Sequence, residues 1–208
     1  MYARAGEELA YFRAHGYAPL VLPGLSSALA APACAGIPVT HRGVAESFVV
    51  CTGVGRQGKV VSLPGYDRAR TVLVLMGVAR LGEVVRALVS TDHEGRRDGP
   101  AYPTHLPIAI IERGSMPDQR VLVSTLEDVE SALAGMEQRP PGMIVIGWAV
   151  MAFGRRDGEG GEAGEGVLED VGEDVGGQER RDRQRVEAWL GGRKWDVWEG
   201  LGVGWDDL

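Results

Sequence analysis

Residues 71–76 read Thr-Val-Leu-Val-Leu-Met, an apolar run with no polar position after Thr71. A strand of this kind has no wet face and is buried on both sides, as in a sheet covered by helices. The chain around it alternates in type. Ala5 to His15 reads as a helix stopped by Gly16, and Tyr17 to Leu22 as a strand ended by Pro23-Gly24. Ser26 or Ser27 can cap a short helix, SALAAPACAG, which Pro32 shortens or kinks and Gly36 closes. Ser47 to Thr52 reads as a strand, followed by a Gly-rich loop to Pro64; Leu81 to Val89 is a helix; residues 91–104 are a polar loop. Leu106 to Glu112 and Val121 to Ser124 are strands. Thr125 to Met136 is a helix with Asp128 as the acidic partner of a capping-box variant, and Met143 to Ile146 is a last strand. Strands and helices in this order make an α/β domain, with a mixed sheet because some strands follow one another after only a short loop.

After Phe153 the composition changes. The formal net charge of −7 belongs entirely to residues 154–208, which hold fifteen acidic and eight basic residues. Residues 154–178, nearly all Gly, Glu, Asp, Val and Ala in their central part, are expected to be a disordered linker, because they bury too little apolar area to offset their ordering entropy. Residues 179–208 form a partly helical tail with four of the five tryptophans: Trp189, Trp195, Trp198 and Trp205. Two readings of that tail stand side by side, a helix docking on its own domain and a motif that binds a partner.

A net negative charge argues against a nucleic-acid partner, which needs a basic face. No apolar run approaches the roughly 20 residues needed to cross a bilayer, so no membrane partner is expected. Cys34 and Cys51 sit in apolar sequence, too few for a disulfide framework or a zinc site. They read as small buried side chains in a reducing, cytoplasmic compartment, and no metal is expected. The start, with Glu7 and Glu8, does not look like a targeting peptide.

The informative stretch is Val21 to Arg42, VLPGLSSALAAPACAGIPVTHR. A strand end feeding a helix N-terminus offers free N–H groups and hydroxyls to a polar ligand, a pattern shared with any ordinary capped helix. The string itself resembles the VVPGxTSALAAPAxAGIPVTHR run of the S-adenosylmethionine-dependent tetrapyrrole methylases, and within them the uroporphyrinogen-III C-methyltransferases. Four further blocks agree in order and spacing. Arg4-Ala5-Gly6-Glu7-Glu8 is similar to GRGGEE, and Leu75-Met76-Gly77-Val78 to YMGV. Glu112-Arg113-Gly114 through Asp118-Gln119-Arg120-Val121 is similar to ERGTxPEQRV, and Arg139-Pro140-Pro141-Gly142 through Gly147 to RPPALIVVG. The match covers about residues 1–150, closest in flavour to the fungal enzymes.

The resemblance implies the C-terminal α/β domain of that fold over residues 1–153. It implies methyl transfer from S-adenosylmethionine to C2 and C7 of uroporphyrinogen III, giving precorrin-2 for sirohaem, in a homodimer. It places Ser26, Ser27, Met76 and Gly114 at cofactor contacts. Arg4, Glu7, His41 and Arg42 fall at the tetrapyrrole site, with Arg4 or Glu7 as the candidate for proton removal. The residue chemistry is compatible: a polycarboxylate substrate needs guanidinium forks, for which Arg4, Arg42, Arg113 and Arg120 are candidates. For Arg113 and Arg120, ion pairs with Asp118 or Glu112 are the favoured alternative. The family's N-terminal GxGPGDP and GGDP turns do not occur here, so the expectation is a truncated form with one wall of the cleft, inactive alone. Two other functions stay open: a non-catalytic module using the Trp-rich tail, and a methylase of a later precorrin.

Overall fold

The buried apolar runs become the middle of one sheet. In the computed structural model, which describes residues 2–55, 61–91, 97–153, 166–169 and 175–201, six strands line up in the order β1-β3-β7-β5-β6-β8. They are β1 (Ser47–Thr52), β3 (Arg70–Leu75), β5 (Pro107–Glu112), β6 (Arg120–Thr125), β7 (Gly142–Ile146) and β8 (Trp195–Glu199). β1 and β3 are parallel, and every other pairing is antiparallel, so the sheet is mixed. Two short segments, β2 (Leu63–Pro64) and β4 (Arg97–Asp98), pair separately in parallel. In β3, Val72, Leu73 and Val74 are fully buried, as a strand with no polar face requires. All six residues of β5 and of β6 are buried as well.

Helices cover the sheet where their apolar stripes dictate. In α3 (Leu81–Val89), Leu81, Val84, Val85 and Leu88 recur at helical spacing and are all buried. The guanidinium of Arg97, itself buried, donates to the carbonyls of Ala87, Leu88 and Ser90 at 2.9, 2.6 and 2.9 Å. These are the carbonyls a helix end leaves unpaired, and a cation there also suits the helix dipole. α1 (Ala5–Ala14) and α2 (Ser27–Cys34) both end in the glycine stops read from the sequence. Gly16 and Gly36 have left-handed backbone, and the residue after each donates back five positions, Tyr17 to Phe12 and Ile37 to Pro32. α2 accommodates Pro32 inside its eight residues.

Some elements differ from expectation: β2 and β4 are short strands inside segments read as loops, and α5 begins at Val175, inside the segment expected to be a disordered linker. Tyr17 to Leu22 is not a strand: no described strand pairs with it, and without ladder bonds a β-prone sequence has no sheet to join. Its Tyr17, Leu20 and Leu22 are largely exposed, and α1 buries nothing. The helix expected over Thr125 to Met136 shrinks to α4 (Val129–Ala134). Thr125 stays in β6 and its hydroxyl accepts from the Asp128 N–H at 3.3 Å, while the Asp128 carboxylate pairs with Lys194 at 2.7 Å. Finally, β8 is a strand in a part of the tail for which the sequence predicts no element.

Most of residues 154–178 lie outside the described residues, as does Trp205. The tail that follows packs on the sheet. α5 (Val175–Leu190) buries Val186, Trp189 and Leu190, and β8 pairs with β6 from Arg120↔Glu199 to Ser124↔Trp195. Among the described residues no helix is long and apolar enough to cross a membrane.

Candidate functional site

The register fixes which loops share an end of the sheet. Thr52 pairs with Leu75, Leu75 with Met143, Met143 with Ile111, Ile111 with Val121 and Val121 with Trp198. The residues just beyond this row therefore form one rim: Gly53 after β1, Met76 after β3, Arg113 to Ser115 after β5, Gln119 before β6 and Gly200 after β8. The parallel strands β1 and β3 point their C-terminal ends to it, the end at which open α/β sheets bind ligands.

The backbone at this rim is unusual. Among the described residues, four non-glycines have left-handed φ, and three of them are here: Met76 at 58°, Arg113 at 51° and Ser115 at 69°. Each costs on the order of 1–3 kcal/mol, and such strain concentrates at ligand sites. Two chain segments also come unusually close. A Cβ on Gly53 would lie 2.5 Å from Gly77 Cα, so only glycine lets the β1 and β3 ends meet. A Cβ on Gly114 would lie 2.6 Å from Ala31 Cβ, which sets the 113–115 loop directly against α2.

α2 thus belongs to the rim. It packs on β3 and β7 as well as on Gly114, and its terminal Cys34 carbonyl accepts from Gln119. Ser26 is its N-cap: the hydroxyl accepts from the Ala28 N–H at 3.2 Å and bonds the Tyr2 hydroxyl at 2.7 Å. Ser27, the first helical residue, is exposed. Leu29, Met76 and Met116 add exposed apolar surface, between 41% and 49% accessible.

The Tyr2–Ser26 bond holds the arm with Arg4 and Glu7 beside the α2 N-terminus. Arg4 and Glu7 are both exposed and pair with each other at 2.8 Å. The hydrogen bond and charge of Glu7 raise the Arg4 pKa further above its ordinary range.

The charged residues of the other blocks are engaged internally. Arg120 and Glu112 form a buried ion pair, and the second Glu112 oxygen accepts from the Arg139 N–H at 2.8 Å, tying the Arg139-Pro140-Pro141 segment to β5. Arg113 pairs with Asp118 at 2.6 Å, and its hydrogen bond holds the Asp118 carboxyl below the usual carboxylate range.

His41 and Arg42 are not at this rim. The His41 N–H donates to Ala45 O at 2.9 Å, and Glu46, the next residue, donates to Ala69 O, which puts both beside the start of β1 at the opposite end of the sheet. The His41 ring lies edge-on to Phe153 at 5.4 Å, and its Nδ1 is 2.9 Å from Arg42 O. The structure gathers Ser26, Ser27, Met76 and Gly114 in one region, with Arg4 and Glu7 next to it, and separates His41 and Arg42 from them. Sequence reasoning gave Ser115 and Gln119 no role. The only signal for Gln119 was its place in the Asp118-Gln119-Arg120-Val121 block.

The sequence profile of the Tetrapyrrole (Corrin/Porphyrin) Methylases matches residues 1–130. The chain belongs to this family. This tetrapyrrole methylase chain is 46% identical over 149 residues to the probable uroporphyrinogen-III C-methyltransferase of Schizosaccharomyces pombe, a match covering 72% of this chain and 28% of the relative. It is 38% identical over 153 residues to the uroporphyrinogen-III C-methyltransferase of Methanocaldococcus jannaschii, covering 72% of this chain and 60% of that protein. The uroporphyrin-III C-methyltransferase from Thermus thermophilus, solved with S-adenyl homocysteine, superposes with a TM-score of 0.58 at 30% identity, covering 78% of this chain and 64% of that one. The tetrapyrrole methylase chain thus spans about a quarter of the fungal relative and under two thirds of the other two proteins.

Proposed function

We propose that this chain supplies one wall of an S-adenosylmethionine-dependent methyltransferase site acting on uroporphyrinogen III at C2 and C7, giving precorrin-2 for sirohaem. The observation that carries the proposal is the convergence of Met76, Gly114 and α2 on one strained rim, at the positions where the family blocks fall.

The residues present fit a nucleoside sulfonium. Met76 offers an exposed, polarisable side chain on a strand end whose left-handed backbone turns it out of the sheet. Gly114 and its neighbours offer main-chain groups, and Ser27 an exposed hydroxyl at a helix N-terminus. When bound, the cofactor supplies an electrophilic methyl on sulfur, and the protein's share is then alignment and proton handling. Arg4 is placed to pair a substrate carboxylate bidentately. Glu7, once freed from Arg4 by that pairing, can accept the proton that the methylated carbon loses.

The reaction requires both walls of the cleft, so the proposal is for this chain working with the remainder of the family fold, in a homodimer. A substrate from a later precorrin step is the alternative within the family. The test is calorimetric titration of S-adenosyl homocysteine, followed by methylation of uroporphyrinogen III in the presence of a separately made N-terminal part of a family member. Binding lost in Met76→Asp and Gly114→Val is the expected result. Binding that is unchanged in both variants would remove the rim from the reading.

A further inference from the structure

Gln119 is completely buried, and its amide is used on both sides. Its Oε1 accepts from the Ser115 N–H at 2.9 Å. Its Nε2 donates to Cys34 O at 3.2 Å and to Gly200 O at 3.4 Å. The main chain adds a further bond, from the Gly200 N–H to Gln119 O at 2.8 Å. One side chain therefore ties together three segments far apart in sequence. They are the strained loop with Gly114, the C-terminal end of α2, and the residue that follows β8. The orientation of the amide is dictated by its partners, since an N–H must meet its oxygen and two carbonyls must meet its NH₂.

The tail strand β8 lies beyond the 1–130 stretch that matches the family. Its last residue, Glu199, sits opposite Arg120 and accepts from Arg139 at 2.8 Å, so the strand end is anchored on both sides of the rim. The left-handed φ of Arg113 and Ser115 is unfavourable by itself, and a loop in that shape persists only where its surroundings over-determine it. Gln119 is the group that transmits such a constraint from β8 to Ser115.

We infer that docking of the C-terminal strand β8 sets the shape of the 113–115 loop, with Gln119 as the positioning residue that couples the tail to the proposed cofactor wall. This rests on the cofactor reading given above. The tail is then neither a passive appendage nor a partner hook. It is a brace for the site, and losing it loosens the loop without dismantling the sheet.

The test separates coupling from binding. Gly200→Pro removes the N–H that Gln119 O accepts and forbids the left-handed φ of 83° at that position, while leaving the core untouched. Amide hydrogen exchange should then quicken at Ser115 at least tenfold, with Val74 in β3 unchanged. In the same experiment on Gln119→Met, Ser115 should quicken similarly, and the dissociation constant for S-adenosyl homocysteine should rise at least tenfold. Unaltered Ser115 exchange in Gly200→Pro overturns the coupling. If the unmutated chain takes up no S-adenosyl homocysteine even with the separately made N-terminal part present, the cofactor reading falls, and the coupling is still decided by the Ser115 exchange alone.

Discussion

Arg68 and Asp182, 114 residues apart, form a two-point ion pair with bonds of 2.7 and 2.8 Å, which fastens α5 to the loop preceding β3. The guanidinium also donates to Val167 O at 2.9 Å and lies 4.9 Å from the centre of the Trp148 ring. Both side chains are mostly removed from solvent, Asp182 almost fully. Truncating one partner of such a pair leaves the other charge buried and uncompensated. Asp182→Ala should therefore lower the unfolding free energy by about 3 kcal/mol, measured by urea denaturation. A loss near zero would mean that α5 is held by its apolar face alone.

His105 is 5% exposed, and neither ring nitrogen has a hydrogen-bond partner among the described residues. Burial lowers its pKa below the ordinary 6.5, helped by Arg183 and Arg68 and opposed by Asp182 and Glu179. A folded histidine that resists protonation binds fewer protons than the unfolded one. Its contribution to stability is complete above the unfolded pKa of about 6.5 and is lost as the pH falls below that value. Stability should be flat from pH 8 to 7 and decline between pH 6.5 and 5, and His105→Phe should flatten that decline. An identical pH profile in the variant would assign the acid sensitivity to other groups.

Thr71 has a fully buried hydroxyl with no partner among the described residues. An unsatisfied buried group costs on the order of 1–3 kcal/mol. Valine has the same shape and no hydroxyl, and it suits a strand. Thr71→Val should raise the unfolding free energy by about 1 kcal/mol, read as a higher midpoint of chemical unfolding. A lower midpoint would show that the hydroxyl is bonded after all.

Met76 carries left-handed backbone with half of its surface exposed. Replacement by glycine relieves that strain, which offsets the extra entropy glycine brings to the unfolded chain. Thermal stability of Met76→Gly should stay within about 1 kcal/mol of the unmutated protein. On the proposed reading, in which Met76 touches the cofactor, affinity for S-adenosyl homocysteine should fall. A large stability loss would instead mark Met76 as packing.

Much of the sheet was legible because its strands are apolar runs long enough to identify themselves. Ser47 to Thr52 is observed with the bounds read from the sequence, and the 71–76 run is β3 shifted by one residue. β8 was not legible: Trp-Asp-Val-Trp-Glu carries two charges in five residues, and it is a strand because β6 offers a partner. Tyr17 to Leu22 is the converse case, with strand composition and no partner. The cofactor candidates Ser26, Ser27, Met76 and Gly114 were named through the family blocks and not through any local pattern. The contribution of Gln119 was hidden because two of its partners, Cys34 and Gly200, are 85 and 81 residues away, and no local pattern reports such a bond.

β6 is buried along its whole length, and β8 is what occupies its outer side. A shortened protein that stopped before Trp195 would leave an apolar strand with a row of unsatisfied main-chain groups facing water, the template on which sheets of different molecules join. Residues 195–199 thus guard the β6 edge against open-ended strand pairing between molecules.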